Sequence, residues 1–180
     1  MSHVCRITLR PFLESDIDRL LHWVGPGESD LVQWAGMAFQ WPLTRGDLES
    51  HVAMARPSTR LIFAAVNDDG AVIGHVELGN IDTHHRSARV GRMLVGHPDH
   101  RGKGCGAAIL KRVLEVAFDD LRLHRVALGV YDFNAPAIRC YEKVGFLREG
   151  TQRDAARVGD NWWSLLTMSL LDSEWTSSRD

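Results

Sequence analysis

The chain has 180 residues, 44% of them apolar and 24% charged, which fits one globular domain with its own core. Its formal net charge of -2 at pH 7 disfavours general nucleic-acid binding, and the sequence has no apolar run typical of a membrane span or a secretory signal. Three cysteines without metal-like spacing indicate a reducing compartment and no disulfide framework, so we expect a cytoplasmic protein without a metal site.

The first third of the chain is predicted to form one strand and three short helices. The strand covers 6–12, and Pro11 fits only at its end or at an edge of the sheet. Each helix is bounded by a capping residue, a glycine or a proline. The three helices are predicted over 15–24, 28–36 and 45–56.

Three strands are predicted in the middle of the chain. The first of them is a near-continuous apolar run, as expected for a strand buried in a sheet. Asp69-Gly70 is typical of a hairpin turn, and in the strand that follows, His75 and Glu77 share one face. These strands are predicted over 61–67, 71–82 and 87–96.

The last third of the chain is predicted to alternate between helices and strands. It ends in a hairpin around Gly159-Asp160. The predicted elements are a helix over 107–121, a strand over 125–132, a helix over 134–144 and two strands over 146–157 and 161–171. We expect a single domain over 1–172 and a loose tail over 173–180.

The stretch Arg101-Gly102-Lys103-Gly104-Cys105-Gly106 lies between a predicted strand and a predicted helix. The first amides of a helix have no intrahelical partner and lie at the positive end of its dipole. Glycines leave these amides accessible, and the two cations add positive charge, which favours a phosphate or pyrophosphate ligand. The P-loop and dinucleotide-binding patterns both fit poorly in residue type or glycine spacing. A glycine-rich turn without a ligand is the alternative.

Two motifs resemble those of the GNAT acyltransferase superfamily. Arg101, Gly104 and Gly106 match its R/Q-x-x-G-x-G/A pattern. The second motif, N-x-x-A-x-x-x-Y-x-K-x-G-F, is matched by Asn134, Ala137, Tyr141, Lys143, Gly145 and Phe146. The opening of the chain is similar to the branch that acetylates the N-terminal amines of ribosomal proteins. The resemblance is strongest over 87–148 and weakest over 22–58.

This resemblance implies an α/β (α+β) fold: a mixed, mostly antiparallel seven-stranded sheet with helices on both faces and splayed fourth and fifth strands. It also implies acetyl-CoA as cosubstrate, with the pyrophosphate on the loop amides and pantetheine along the fourth strand. Lys103 and Arg139 are candidates for the phosphates. Asn134 contacts pantetheine or a water, and it also fits the N-cap of the last helix. The predicted cofactor-binding residues are Met93, Leu94, Val95, Arg101, Gly102, Lys103, Gly104, Cys105, Gly106, Ala107, Asn134, Arg139 and Tyr141.

The resemblance also implies the catalytic groups. Tyr141 matches the general acid that hydrogen-bonds the CoA sulfur, and the alternative is a buried structural tyrosine. Glu77 is the best candidate for a general base acting through water, with His75, His84 and His85 as alternatives. A backbone N–H of the fourth strand is expected to polarise the thioester carbonyl. A cysteine nucleophile is disfavoured, because no His–Asp or His–Asn pattern accompanies a cysteine.

Three functions follow from these signals. The first is an N-acetyltransferase that acts on a primary amine, either a small molecule or a protein N-terminus, as a monomer or a homodimer. The second is an acyl-CoA-binding sensor or regulatory domain without turnover. The third is a nucleotide-binding protein that uses the same loop for ATP or NAD, which the loop spacing disfavours. The aromatic residues Trp23, Trp34, Phe39 and Trp41 form either a wall of the acceptor site or part of the core.

Overall fold

The computed structural model describes residues 5–177, with side chains as far as Trp175. In this part of the chain seven strands form one sheet: β1 Ile7–Pro11, β2 Arg60–Asn67, β3 Val72–Asp82, β4 Ser87–Val95, β5 Arg125–Tyr131, β6 Leu147–Val158 and β7 Asn161–Leu171. The α-helices are α1 Ile17–Val24, α2 Glu28–Ala35, α3 Arg45–Ala53, α4 Cys105–Glu115, α5 Ala135–Val144 and α6 Asp172–Ser177. None of the helices described is long and apolar enough to cross a membrane.

The strands follow the order β1-β2-β3-β4-β5-β7-β6 across the sheet. Every neighbouring pair is antiparallel except β4 and β5, which run parallel and pair only over 87–89 and 125–127. The predicted fold class, a mixed and mostly antiparallel sheet with splayed fourth and fifth strands, is therefore confirmed.

Helices cover both faces of the sheet, so successive residues of β3 point alternately towards α4 and towards the helices on the opposite face. A Cβ added to Gly74 would lie 2.7 Å from Cδ1 of Ile109, so α4 packs directly against this strand. His75 and Glu77 point to the opposite face, towards the layer formed by α1, α2 and α3. On the α4 side, four fully buried residues line one helical face: Ile109, Leu110, Val113 and Leu114. Each such side chain contributes roughly 1.5–3 kcal/mol through burial.

The helix predicted over 107–121 begins earlier and ends differently. Gly104 adopts a left-handed conformation, with φ of 81°, and precedes the first residue of α4. After Glu115 the chain continues as a π-helical turn over Val116–Asp120. The start of α4 therefore includes Cys105 and Gly106, which places the glycine loop directly at a helix N-terminus.

The prediction of a loose tail from residue 173 is wrong for the part that the structure describes. Residues 172–177 form α6, and Trp175 is 3% exposed, with its ring 6.0 Å from that of Phe118. A tryptophan gains much from burial, which accounts for the docking of this short helix on the core. The predicted tail residues 178–180 lie outside the described range.

The prediction that the chain has no disulfide is also wrong. Cys5 and Cys105, separated by 100 residues in sequence, form a disulfide, and Cys140 is the free cysteine. The pairing arises because β1 runs beside α4, and Arg112 Nε in this helix donates to the carbonyl of Ile7 at 2.8 Å. The spacing of the cysteines in the sequence cannot predict a contact that arises only when these distant segments pack together.

Candidate active site

A cleft opens where β4 and β5 separate. Beyond residue 89, the edge of β4 that faces β5 has no strand partner within the described chain, while the other edge of β5 stays paired with β7 along the whole strand. A cavity of about 820 Å³ lies at this point. Met93 and Leu94 of β4 and Tyr141 of α5 contribute to its wall. Unpaired strand backbone beside a cavity can bind an extended, amide-rich ligand.

The glycine loop exposes the N-terminus of α4. Gly102 and Gly104 have φ values of 72° and 81°, a conformation that favours glycine, and a Cβ at either position would meet no atom within 4 Å. Ala108 N–H donates to the carbonyl of Gly104 at 3.1 Å. The amides of Cys105, Gly106 and Ala107 precede this bond and lie in the first turn, where helical amides lack an intrahelical acceptor. The loop therefore has the geometry of an anion-binding helix N-terminus.

Arg101 holds this loop against the end of β4. Its Nε donates to the carbonyl of Val95 at 2.9 Å and its Nη2 to the carbonyl of Gly96 at 3.1 Å. Its amide donates to the carbonyl of Pro98. The side chain thus positions the loop, and two of its three guanidinium nitrogens are bonded to backbone carbonyls. The carbonyl of Val95 is likewise already bonded.

Tyr141 and Asn134 both come from the segment around α5. Tyr141 packs beside Phe146, with ring centroids 6.2 Å apart, and burial raises the pKa of its hydroxyl, so the phenol stays protonated. Asn134 is the N-cap of α5, and its Oδ1 accepts from the amide of Ala137 at 3.3 Å. The N-cap interpretation of Asn134 is confirmed, and this residue also lines the cavity.

β4 bulges beside the cleft, a feature that sequence reasoning missed. Two of its residues, Arg92 and Met93, lie opposite one residue of β3 between the register pairs Glu77–Gly91 and His75–Leu94. Arg92 takes a left-handed conformation with φ of 48°. Trp34 of α2 fixes the bulge, because its Nε1 donates to the carbonyl of Arg92 at 2.9 Å. The bulge therefore depends on the helical layer that covers it.

Glu77 lies in a buried polar network. One carboxylate oxygen lies 2.9 Å from Nε2 of His51 and 3.3 Å from Nε2 of His75, and the other accepts from Nη1 of Arg92 at 2.7 Å. Burial alone would raise the pKa of Glu77, but the two histidine hydrogen bonds and the Arg92 charge outweigh it and lower the pKa. A carboxylate with a lowered pKa binds a proton weakly. These contacts do not favour the predicted role of general base.

The amino-acid sequence matches the acetyltransferase (GNAT) domain family over residues 6–147. The chain belongs to the GNAT acetyltransferase family. As a member of this family it is an acyltransferase, an N-acetyltransferase that uses acetyl-CoA. The resemblance carried by the two sequence motifs is confirmed.

Relatives of this GNAT protein extend over almost the whole chain. The Bacillus subtilis protein YdaF, provisionally named a ribosomal N-acetyltransferase, is 27% identical over 180 residues, covering 96% of this chain and 95% of its own. An aminoglycoside N(6')-acetyltransferase of Klebsiella pneumoniae is 29% identical over 154 residues, 81% of this chain and 76% of its own. The crystal structure of Vibrio cholerae spermidine N-acetyltransferase with CoA and spermine has a TM-score of 0.83 at 24% identity, covering 95% and 98% of the two chains.

The cleft of this GNAT enzyme brings together part of the predicted site. Among the predicted residues, its wall includes Glu77, Met93, Leu94, Arg101, Asn134 and Tyr141. Val95, the loop 102–107 and Arg139 do not belong to this wall, and the side chains of Lys103 and Arg139 are exposed. None of the alternative bases belongs to this wall: His75 is buried with its Nε2 3.3 Å from Glu77, and His84 and His85 are exposed, with His85 bonded to Asp82. Of the aromatic residues, Trp23 and Trp34 line the cavity.

Proposed function

We propose that the protein transfers the acetyl group of acetyl-CoA to a primary amine by direct attack within a ternary complex, with Tyr141 as general acid. One observation carries this proposal: Tyr141 shares a cavity with Met93 and Leu94, on the edge of β4 that has no strand partner among residues 5–177. The phenol can donate a proton to the sulfur of a thioester, and the unpaired strand amides beside the same cavity can donate to its carbonyl oxygen.

Acetyl-CoA binding is assigned to three groups of residues. The amides of 102–107 hold the pyrophosphate, because they lie at the N-terminus of α4. Pantetheine lies along β4 at Met93, Leu94 and Val95, with Asn134 opposite. The exposed cations Lys103 and Arg139 supply charge for the phosphates. Because the carbonyl of Val95 already accepts from Nε of Arg101, the amide of Val95 is the backbone group that can contact the ligand.

The reaction needs no covalent enzyme intermediate. A neutral amine attacks the thioester carbon, a C–N bond forms, and the carbonyl electrons move to oxygen, where an amide of β4 near Leu94 stabilises the charge. Collapse breaks the C–S bond, and the leaving thiolate takes the proton of the Tyr141 hydroxyl. The proton lost by the nitrogen returns to Tyr141 through water. Holding both substrates in one cleft supplies about 7 kcal/mol or more of the barrier reduction.

The role of Glu77 as general base remains a prediction that its contacts weigh against. Because its carboxylate is ionised and held by Arg92, we propose that it mainly orients the wall beside the bulge. The amine then enters the reaction in its neutral form, and its proton leaves through water. If Glu77 is not the base, kcat/KM rises with pH towards the pKa of the acceptor amine in wild type and in Glu77→Gln alike.

Relatives with named substrates support a small amine as acceptor. The Klebsiella pneumoniae enzyme acts on aminoglycosides and the Vibrio cholerae enzyme on spermidine, according to their names. A protein N-terminus stays a second candidate, because the name of YdaF refers to ribosomal N-acetylation.

The experiment is a thiol-release assay with acetyl-CoA and a panel of amines and peptides. Tyr141→Phe is expected to lower kcat strongly and to leave CoA affinity, measured by calorimetry, nearly unchanged. Tyr131→Phe removes the hydroxyl of the other tyrosine in the chain, which also lines the cavity, and serves as the matched control. Unaltered turnover in Tyr141→Phe removes its role as acid, and CoA binding without thiol release from any amine supports a sensor domain instead.

A further inference from the structure

A group of arginines lies at the end of the cavity away from the glycine loop. Arg60 of β2 and Arg89 of β4 are both register partners of Gly79 on β3. Directly paired residues of antiparallel strands point to the same face, so both side chains lie on the face that carries Glu77. Two strand spacings separate their Cα atoms by roughly 10 Å. Gly79 between them has no side chain to fill the gap.

Two further glycines keep this part of the cavity open. A Cβ added to Gly91 would meet no atom within 4 Å. A Cβ added to Gly129 would lie 3.4 Å from Nη2 of Arg89, so this guanidinium extends over the floor towards β5. We call this part of the cavity, formed by Arg60, Gly79, Arg89, Gly91 and Gly129, the arginine recess; all five residues line the cavity.

The recess carries more positive than negative charge. Glu77 is shared between Arg92, at 2.7 Å, and Arg60, at 4.0 Å, so one carboxylate faces two guanidinium groups. The other acid in the cavity wall, Asp30, accepts from the amide of Gly27 at 3.1 Å at the start of α2.

Arg89 adds a further positive charge. The nearby carboxylate of Glu149 is already held by two bonds from Arg125, at 2.7 and 2.6 Å. The charge of Arg89 also helps to lower the pKa of Glu149, but its guanidinium forms no hydrogen bond or ion pair within the described residues.

The recess is too far from the glycine loop to serve the CoA phosphates. Arg89 precedes Val95 by six residues, which corresponds to roughly 20 Å along an extended strand. It precedes Arg92, in the bulge beside the reacting carbonyl, by about 10 Å on the same scale. The recess therefore faces the acceptor rather than the phosphate end of acetyl-CoA.

We propose that the arginine recess binds an oxyanion, a carboxylate or a phosphate, carried by the acceptor several bonds away from its amine. This inference rests on the proposed acetyl transfer and names the acceptor class: amino acids of the extended type, or similar anionic amines, in preference to polyamines. Guanidinium groups bind carboxylate and phosphate through paired, charge-assisted hydrogen bonds. A second ammonium group on a polyamine meets repulsion in the same place.

Three amines of equal chain length test the proposal: 6-aminohexanoate, hexylamine and 1,6-diaminohexane, whose far ends are negative, neutral and positive. The assays are kcat/KM by thiol release and, independently of turnover, calorimetric binding to the CoA-loaded protein. We expect 6-aminohexanoate to exceed both others by roughly 10-fold or more, the effect of one charge-assisted contact. An added arm with 6-aminohexyl phosphate distinguishes phosphate from carboxylate preference.

Arg89→Gln is expected to remove the preference for 6-aminohexanoate and leave the KM for acetyl-CoA unchanged. Lys111→Gln, which removes one exposed positive charge on α4, is the matched control and should retain the preference. Equal or better use of 1,6-diaminohexane, or an unchanged preference in Arg89→Gln, overturns the inference while the proposed acetyl transfer stands. Charge-selective binding without turnover of any amine supports the recess and contradicts the proposed reaction.

Discussion

Replacing Glu77 by glutamine is expected to destabilise the protein strongly, because it removes the centre of a buried network. Glu77 is 2% exposed and contacts Arg92, His51 and His75 at 2.7, 2.9 and 3.3 Å. Removing one partner of a buried ion pair costs about 3–5 kcal/mol, since the other charge stays buried. Because 1 kcal/mol corresponds to about 2–4 °C in a domain of this size, we expect Tm to fall by roughly 6–20 °C.

Urea unfolding followed by tryptophan fluorescence measures this loss, and Glu49→Gln is the control. Glu49 pairs with Arg45 at 2.7 Å on the surface, so its loss should cost about 1 kcal/mol or less. The folded state lowers the pKa of Glu77, so its stabilisation is fully present above the unfolded value of about 4.3 and is lost as pH falls through the folded pKa. The difference between wild type and Glu77→Gln should therefore hold from pH 8 to about pH 5 and shrink below about pH 4. Equal stability of the two proteins at pH 7 would refute the reasoning.

Three further predictions concern the bulge, a close contact and the disulfide. Trp34→Phe removes the donor to the carbonyl of Arg92, so the bulge is misplaced and kcat should fall roughly 10-fold with little change in CoA binding. The control is Trp41→Phe, because Nε1 of Trp41 donates to the carbonyl of Pro26 on the surface. Equal kcat in the two variants argues against a role of the bulge. Gly96→Ala places a Cβ against the ring of Trp23, closer than the two can pack, and should cost about 1–3 kcal/mol in urea unfolding. Gly150→Ala, with no atom within 4 Å of the added Cβ, should not, and similar losses in the two variants would contradict the packing. The disulfide predicts one titratable thiol per unreduced, denatured chain and a loss of about 2–4 kcal/mol on reduction; three thiols would contradict it.

Local patterns predicted most of the fold. The apolar alternation of β3, the cap at Thr44 and the glycine after α5 each depend on residues close in sequence, and each element formed where it was expected. The two motifs identified the family, because they contain the glycine loop at the N-terminus of α4 and the α5 segment that carries Tyr141. The segment after residue 172 forms a helix and not the predicted loose tail, because burial of Trp175 against the core stabilises it.

The parts of the site that were missed depend on contacts between distant segments. His51 lies 26 residues before Glu77, so the network that lowers the pKa of Glu77 is not visible in the sequence of β3. Trp34 and Arg92 are separated by 58 residues, so their contact cannot be predicted from either segment alone. The bulge at Arg92 and Met93 also leaves the apolar alternation of β4 too little changed to be recognised. Arg101 was expected beside a phosphate, but its direction is set by the carbonyls at the end of β4.

Initial-rate kinetics with acetyl-CoA and an acceptor amine varied together test the central claim most directly. Direct attack in a ternary complex requires both substrates in the cleft at once, so double-reciprocal plots should intersect. Parallel lines, typical of a ping-pong reaction, would indicate an acetylated enzyme and contradict direct transfer.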